Sequence, residues 1–120
     1  MMLLITDKQF EQLLANAPKS LEEMEHHDPK PVVKIFLPHI RWLLVWGYPN
    51  DLDRFFCVVK HGTEQPQAVD MCLSDIVNTR LGVIQPEQDP YIEVDKPWSY
   101  YLNNCRLISA GSSFICAPLI

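Results

Sequence analysis

The stretch "VVKIFLPHIRWLLVWGYPNDLDRFFCVVKHG", Val32 to Gly62, decides the fold class. "VVKIFLP" is rich in β-branched and aromatic residues and is bounded by prolines, the signature of a strand. "RWLLVWGY" places Trp42, Leu44, Trp46 and Tyr48 on one face and Arg41, Leu43 and Val45 on the other, so both faces are largely covered and the strand is central. "PNDLD" is a turn cluster, "RFFCVVKHG" a third strand closed by Gly62, and "QAVDMCL" a fourth. The connections are too short for crossover helices, so consecutive strands must pair antiparallel as a meander.

Upstream, "ITDKQFEQLLANAP" carries a helix start signal. Thr6 as N-cap and Gln9 at the third helical position form a capping box, and Ile5 and Phe10 stand where a hydrophobic staple needs them. Phe10, Leu13, Leu14 and Ala17 make one apolar stripe, which Pro18 should end. "SLEEMEHH" suggests a second short helical turn capped by Ser20. Downstream of the fourth strand, "LSDIVNTRLG" reads as a short helix with Ser74 as N-cap and Gly82 as stop. Beyond Gly82 the chain is proline-punctuated, with "YIEV" as one short strand at best. "WSYYLNNCRLI" fits helix or strand equally by periodicity.

These elements define an α+β fold: an N-terminal helix, a mostly antiparallel meander sheet of four to five strands, and a short helix after the fourth strand. Residues 1–108 form the single domain, and 109–120 an uncharged C-terminal tail, packed or frayed. With 120 residues, 48% of them hydrophobic, one core of ordinary size can form, burying roughly two thirds of the surface the unfolded chain exposes.

The four cysteines, Cys57, Cys72, Cys105 and Cys116, are far apart with no C-x-x-C, which argues against zinc-finger and thioredoxin-type chemistry. The N-terminus lacks a basic region ahead of its short apolar run, and no apolar run is long enough to span a bilayer. A cytoplasmic protein with reduced cysteines is the expectation. Fifteen acids against ten bases give a net charge of −5, which disfavours duplex nucleic acid while leaving room for a local basic patch.

No phosphate-cradling glycine loop and no G-x-S-x-G nucleophile turn is present, and no cofactor is implied. Cys57 and His61 lie ~13 Å apart on an extended strand, too far for a nucleophile and its base. In "EHHDPKP", His26, His27 and Asp28 form a candidate metal or proton-transfer site. Adjacent histidines diverge on either a helix or a strand, so a metal would need further donors, from His39, His61 or an acid. The favoured reading is that His26 and His27 end a helix at the negative end of its dipole, and Asp28-Pro29 turns the chain into the first strand. Asp51, Asp53, Glu64, Asp70 and Asp75 lie in or near turns and could form a carboxylate rim on one edge of the sheet, for a divalent cation or in imitation of phosphates; acids are also what solvated loops ordinarily contain. "KPWSYYLNNCR" interleaves Trp98, Tyr100, Tyr101 and Arg106, a composition shared by protein-binding hot spots, single-strand platforms and aromatic core ends. Acidity favours a protein partner over nucleic acid.

A short N-terminal helix, "DPKPVVKIFLP", Trp42, "RFFCVVKHG", "MCLSDI", then "DPYIEV" followed by Lys96 and Pro97, in that order, resembles domain-of-unknown-function family 2958. The resemblance covers roughly residues 1 to 100. It implies a bacterial plasmid or mobile-element accessory protein, with no catalytic residues to carry over. The functional expectation is a non-enzymatic module that binds a host or element-encoded protein through Trp98, Tyr100, Tyr101 and Arg106. The alternatives are an acidic inhibitor that competes with nucleic acid on a defence protein, and a small metal-dependent enzyme.

Overall fold

The computed structural model describes residues 5–20, 23, 27–62, 64–89 and 96–102. Helix α1 (Asp7–Ala15) opens on the expected capping box: Thr6 accepts from the Gln9 amide, and the Gln9 side chain accepts from the Thr6 amide. Four strands follow as an antiparallel meander, β1 (Val33–Leu37), β2 (Ile40–Tyr48), β3 (Asp51–His61) and β4 (Gln67–Cys72). Helix α2 (Leu73–Asn78) leaves β4 directly, and β5 (Glu87–Gln88) returns to the far edge, giving the order β4-β3-β2-β1-β5. The fold is thus the α+β arrangement expected. Among the described residues no helix is long and apolar enough to cross a membrane.

Both faces of the sheet are covered. On one, Trp42, Leu44, Phe55 and Cys57 pack with Leu13 of α1 and Ile76 of α2. On the other, Leu43, Val45, Trp46 and Val58 pack with Tyr101, from a helical turn at residues 98–102. Strand β2 therefore lies between two cores, as its almost continuous apolar sequence requires.

Strict alternation fails at one place in β2, and the failure shapes the molecule. Leu44 pairs with Cys57, and Trp46 with the next residue back, Phe56, so Val45 is an extra residue with no register partner. This β-bulge shifts the alternation by one. Trp46 therefore leaves the face of Trp42 and Leu44, where alternation put it, and joins the face of Leu43 and Val45; Tyr48 packs there too. The side-chain amide of Asn16, the C-cap of α1, donates to the Val45 carbonyl at 3.1 Å, tying the bulge to the helix end.

Two further expectations are corrected. Helix α1 ends at Ala15, ahead of Pro18. The N-cap of α2 is Cys72, and Ser74 lies inside the helix. Glu87–Gln88 form a short strand after α2 that the sequence did not announce; "YIEV" lies outside the described residues.

Candidate functional site: an aromatic cleft with a charged rim

The bulge brings Trp46 beside Phe56, its register partner on β3, and the two rings stack with centroids 4.2 Å apart and planes 14° from parallel. Trp98 meets both edge-on, 4.9 Å from Phe56 and 6.4 Å from Trp46. Both are favoured aromatic geometries, since each sets the positive ring edge or an offset face against a negative face. The next position along the same row is Asp70, opposite Phe56 on β4. Its carboxylate accepts from the Tyr48 hydroxyl at 2.6 Å and from the Arg54 guanidinium at 2.7 Å, while that guanidinium lies 4.9 Å from the centre of the Tyr48 ring. Trp46, Tyr48, Arg54, Phe56, Asp70 and Trp98 thereby line a cleft of about 370 Å³.

Charge in the rim is held fixed. Burial, then the hydrogen bond to Asp70, pushes the Tyr48 phenol from 10.0 up to about 12. The Trp46 indole N–H is buried and makes no hydrogen bond among the described residues. Asp70 likewise raises Arg54, through its hydrogen bond first and its charge second. Tyr48 is a neutral donor and Arg54 a cation throughout the physiological range.

The segment 27–29 seats Trp98. Its indole N–H donates to the His27 carbonyl at 3.0 Å and its backbone N–H to the Pro29 carbonyl at 3.1 Å. Asp28 accepts from the backbone N–H of Ser99 at 3.0 Å and from its hydroxyl, which caps the helical turn from outside. The His27 ring packs 5.1 Å from Trp46, donates from Nε2 to the Asn16 carbonyl and sets Nδ1 3.6 Å from a Glu23 oxygen. The bond to Asn16 sets the His27 ring against the C-cap of α1, while the helical turn that His26 and His27 were expected to end lies largely outside the described residues. His26 lies outside the described residues. Among the described residues no group of three or more His, Cys, Asp or Glu is placed to hold a metal ion.

The other candidates have local roles. Asp53 accepts from the Ser74 amide at 3.0 Å and its hydroxyl at 2.6 Å, capping α2 as Asp28 caps the later turn. Asp51 accepts from the Asp53 amide at 3.2 Å, closing the β2–β3 turn. Of the four residues assigned to a partner surface, Trp98 lines the cleft, and Tyr100 is half-buried with the Lys96 ammonium 5.9 Å from its ring centre. Tyr101 is 1% exposed and belongs to the core, and Arg106 lies outside the described residues. The Cys57 thiol is pushed by burial up to about 12, far from the thiolate a nucleophile needs.

Sequence reasoning found one wall of the cleft, reached Asp70 only as one of the turn acids, and missed Trp46, Tyr48, Arg54 and Phe56. One signal was present: an isolated glycine in an apolar strand marks a bulge. Gly47 is that glycine, and a Cβ there would meet Phe55 Cε1 at 3.1 Å. It lies two residues beyond Val45.

Residues 4–112 match the family model described as "Protein of unknown function (DUF2958)". No curated protein and no solved structure matches the chain. With the match spanning nearly all of its length, the chain belongs to the DUF2958 family.

Proposed function

We propose that the protein is a non-enzymatic interaction module that binds a host or element-encoded protein on behalf of a plasmid or integrative element. The mobile-element setting follows from the family resemblance alone. The binding mode is supported by one observation: an apolar, aromatic-walled cleft with an ion pair on its rim. Arg54 and Asp70 remain 48% and 34% exposed there, so each retains hydrogen-bonding capacity toward a visitor. Aromatic and arginine side chains around a pocket are the composition of interaction hot spots. The occupant that fits is a protein segment bearing one large apolar side chain beside a charged or amide group that engages Arg54 or Asp70. The acid-rim and metal-enzyme readings lack a comparable observation, since Asp51, Asp53 and Asp28 each hold a backbone amide of this chain.

Affinity capture from the bacterial host tests this with tagged wild type beside the double variant Arg54→Ala, Asp70→Ala. Removing both partners of an exposed pair has little effect on stability. A protein retained by wild type and lost by the variant supports the reading. Identical captured sets from two folded proteins would remove it.

A further inference from the structure

At the other end of the same sheet face lies a second, smaller recess. The two-residue turn between β1 and β2 and the glycine after β3 enclose about 170 Å³, lined by Pro38, His39, Arg41, Lys60 and Gly62. Arg41 and Lys60 are register partners on β2 and β3, so two cations stand directly opposite one another. Like charges in that position repel.

Lys60 is 7% exposed, the one buried charged residue among those described. Its ammonium has three donors and makes one hydrogen bond, to the Gly62 carbonyl at 2.8 Å. Arg41 donates to the carbonyls of Leu37 at 2.6 Å and Ile40 at 3.4 Å, with its guanidinium 5.8 Å from the Phe36 ring centre. No carboxylate of the described residues lies within ion-pair distance of either. Lys34 and Arg54, by contrast, have Asp89 and Asp70 at 3.5 Å and 2.7 Å. A buried cation without a counter-charge is costly, and Lys60 is the one such group among the described residues.

We infer that this recess is an anion site for a phosphate monoester or inorganic phosphate, held between Arg41 and Lys60. Two cations lining one recess match a group carrying about −1.5 to −2 charges at neutral pH better than they match a carboxylate. The Arg41 fork can bind two oxygens side by side, Lys60 supplies a point charge with free donors, and the His39 ring adds polar capacity at the lip. The volume is below the ~300 Å³ at which pockets begin to enclose whole drug-sized ligands, so a phosphoryl group enters and whatever it is attached to stays outside. The net charge of −5 disfavours a polyanion and leaves a single phosphoryl group as the fit.

The test is titration of the full chain with inorganic phosphate and with O-phosphoserine at constant ionic strength, read by backbone amide shifts and by thermal melting. The proteins are wild type, Lys60→Met, Arg41→Gln and, as a charge-matched control, Lys34→Gln. Saturable shifts at residues 39–41 and 60–62 are expected for wild type and Lys34→Gln, weakened about tenfold or more in the other two. Lys60→Met should melt no lower than wild type without phosphate and lose the phosphate-dependent rise, separating loss of the site from loss of the fold. Preference for O-phosphoserine over inorganic phosphate would mark an esterified ligand, and the reverse a free ion. Non-saturating shifts in wild type, or equal binding by all four proteins, would overturn the site.

Discussion

Asp28 and Ser99, 71 positions apart in sequence, are joined by two hydrogen bonds, the Asp28 carboxylate accepting from both the amide and the hydroxyl of Ser99. Asp53 and Ser74 repeat the arrangement across 21 positions. In each case an aspartate outside a short helical segment satisfies an amide in its first turn that has no partner within the helix. Such segments are too short to be stable alone, so these remote caps fix where Trp98 and Ile76 dock.

Asp28→Ala and Asp53→Ala should each destabilise the protein by about 1 kcal/mol, the usual effect of losing a cap. Urea unfolding measures this. A double-mutant cycle of Asp28→Ala with Ser99→Ala should give a clear coupling energy, while Asp28→Ala with Ser74→Ala should be additive.

Gly47→Ala should cost about 1–3 kcal/mol. The added methyl would lie 3.1 Å and 3.3 Å from two carbons of the Phe55 ring and 3.4 Å from Leu14 Cδ2. Phe55 is fully buried and cannot swing away. An unchanged unfolding midpoint would show that the bulge tolerates more than this packing allows.

Asp70→Asn should bring the Tyr48 phenol back toward 10 without restoring it fully, because burial, the largest cause of its rise, remains. Phenolate absorbance during an alkaline titration, compared between wild type and variant, reads this directly.

Stability should fall at alkaline pH. The folded-state values of Cys57 and Tyr48 both lie near 12, above their ordinary 9.0 and 10.0. A raised value means that folding favours the protonated form, so the contribution is complete below pH 9 and is lost as pH climbs toward 12. Denaturant midpoints across that window should decline, less steeply in Cys57→Ala once corrected for its lower starting stability. Under native conditions near neutral pH, Cys57 should resist thiol reagents until the protein unfolds. Cys72, raised first by burial and then by the nearby Asp53, Asp75 and Asp51 charges, should react slowly.

The meander was legible because Val32 to Gly62 is rich in β-branched and aromatic residues, is punctuated by turns and leaves no length for crossovers. The start of α1 was legible because its cap is local: Thr6 and Gln9 are three residues apart. The caps of α2 and of the 98–102 turn were not, because their acceptors come from other strands and loops. Asp53 and Asp28 looked like free carboxylates for the same reason. The cleft was half legible: the aromatic content of residues 98–101 was plain, but the facing wall depends on a one-residue shift at Val45 that reverses the side on which Trp46 emerges. The apolar hairpin at Leu81–Ile84, with Gly82 at φ +63° and Val83 93% exposed, was not legible either, because a glycine just past a helical run carries the same signal as a helix stop.

The central claim is that the face built by Trp46, Phe56, Trp98 and the Arg54–Asp70 pair is where a partner protein sits. Its most direct test places a photo-crosslinking amino acid at position 54, on the rim, and in a second protein at Glu11, on the exposed side of α1 and across the sheet from the cleft. Both are expressed and irradiated in the native host. The account predicts a discrete crosslinked species from position 54 and none from position 11. A crosslink of equal yield from both positions, or from position 11 alone, would contradict it.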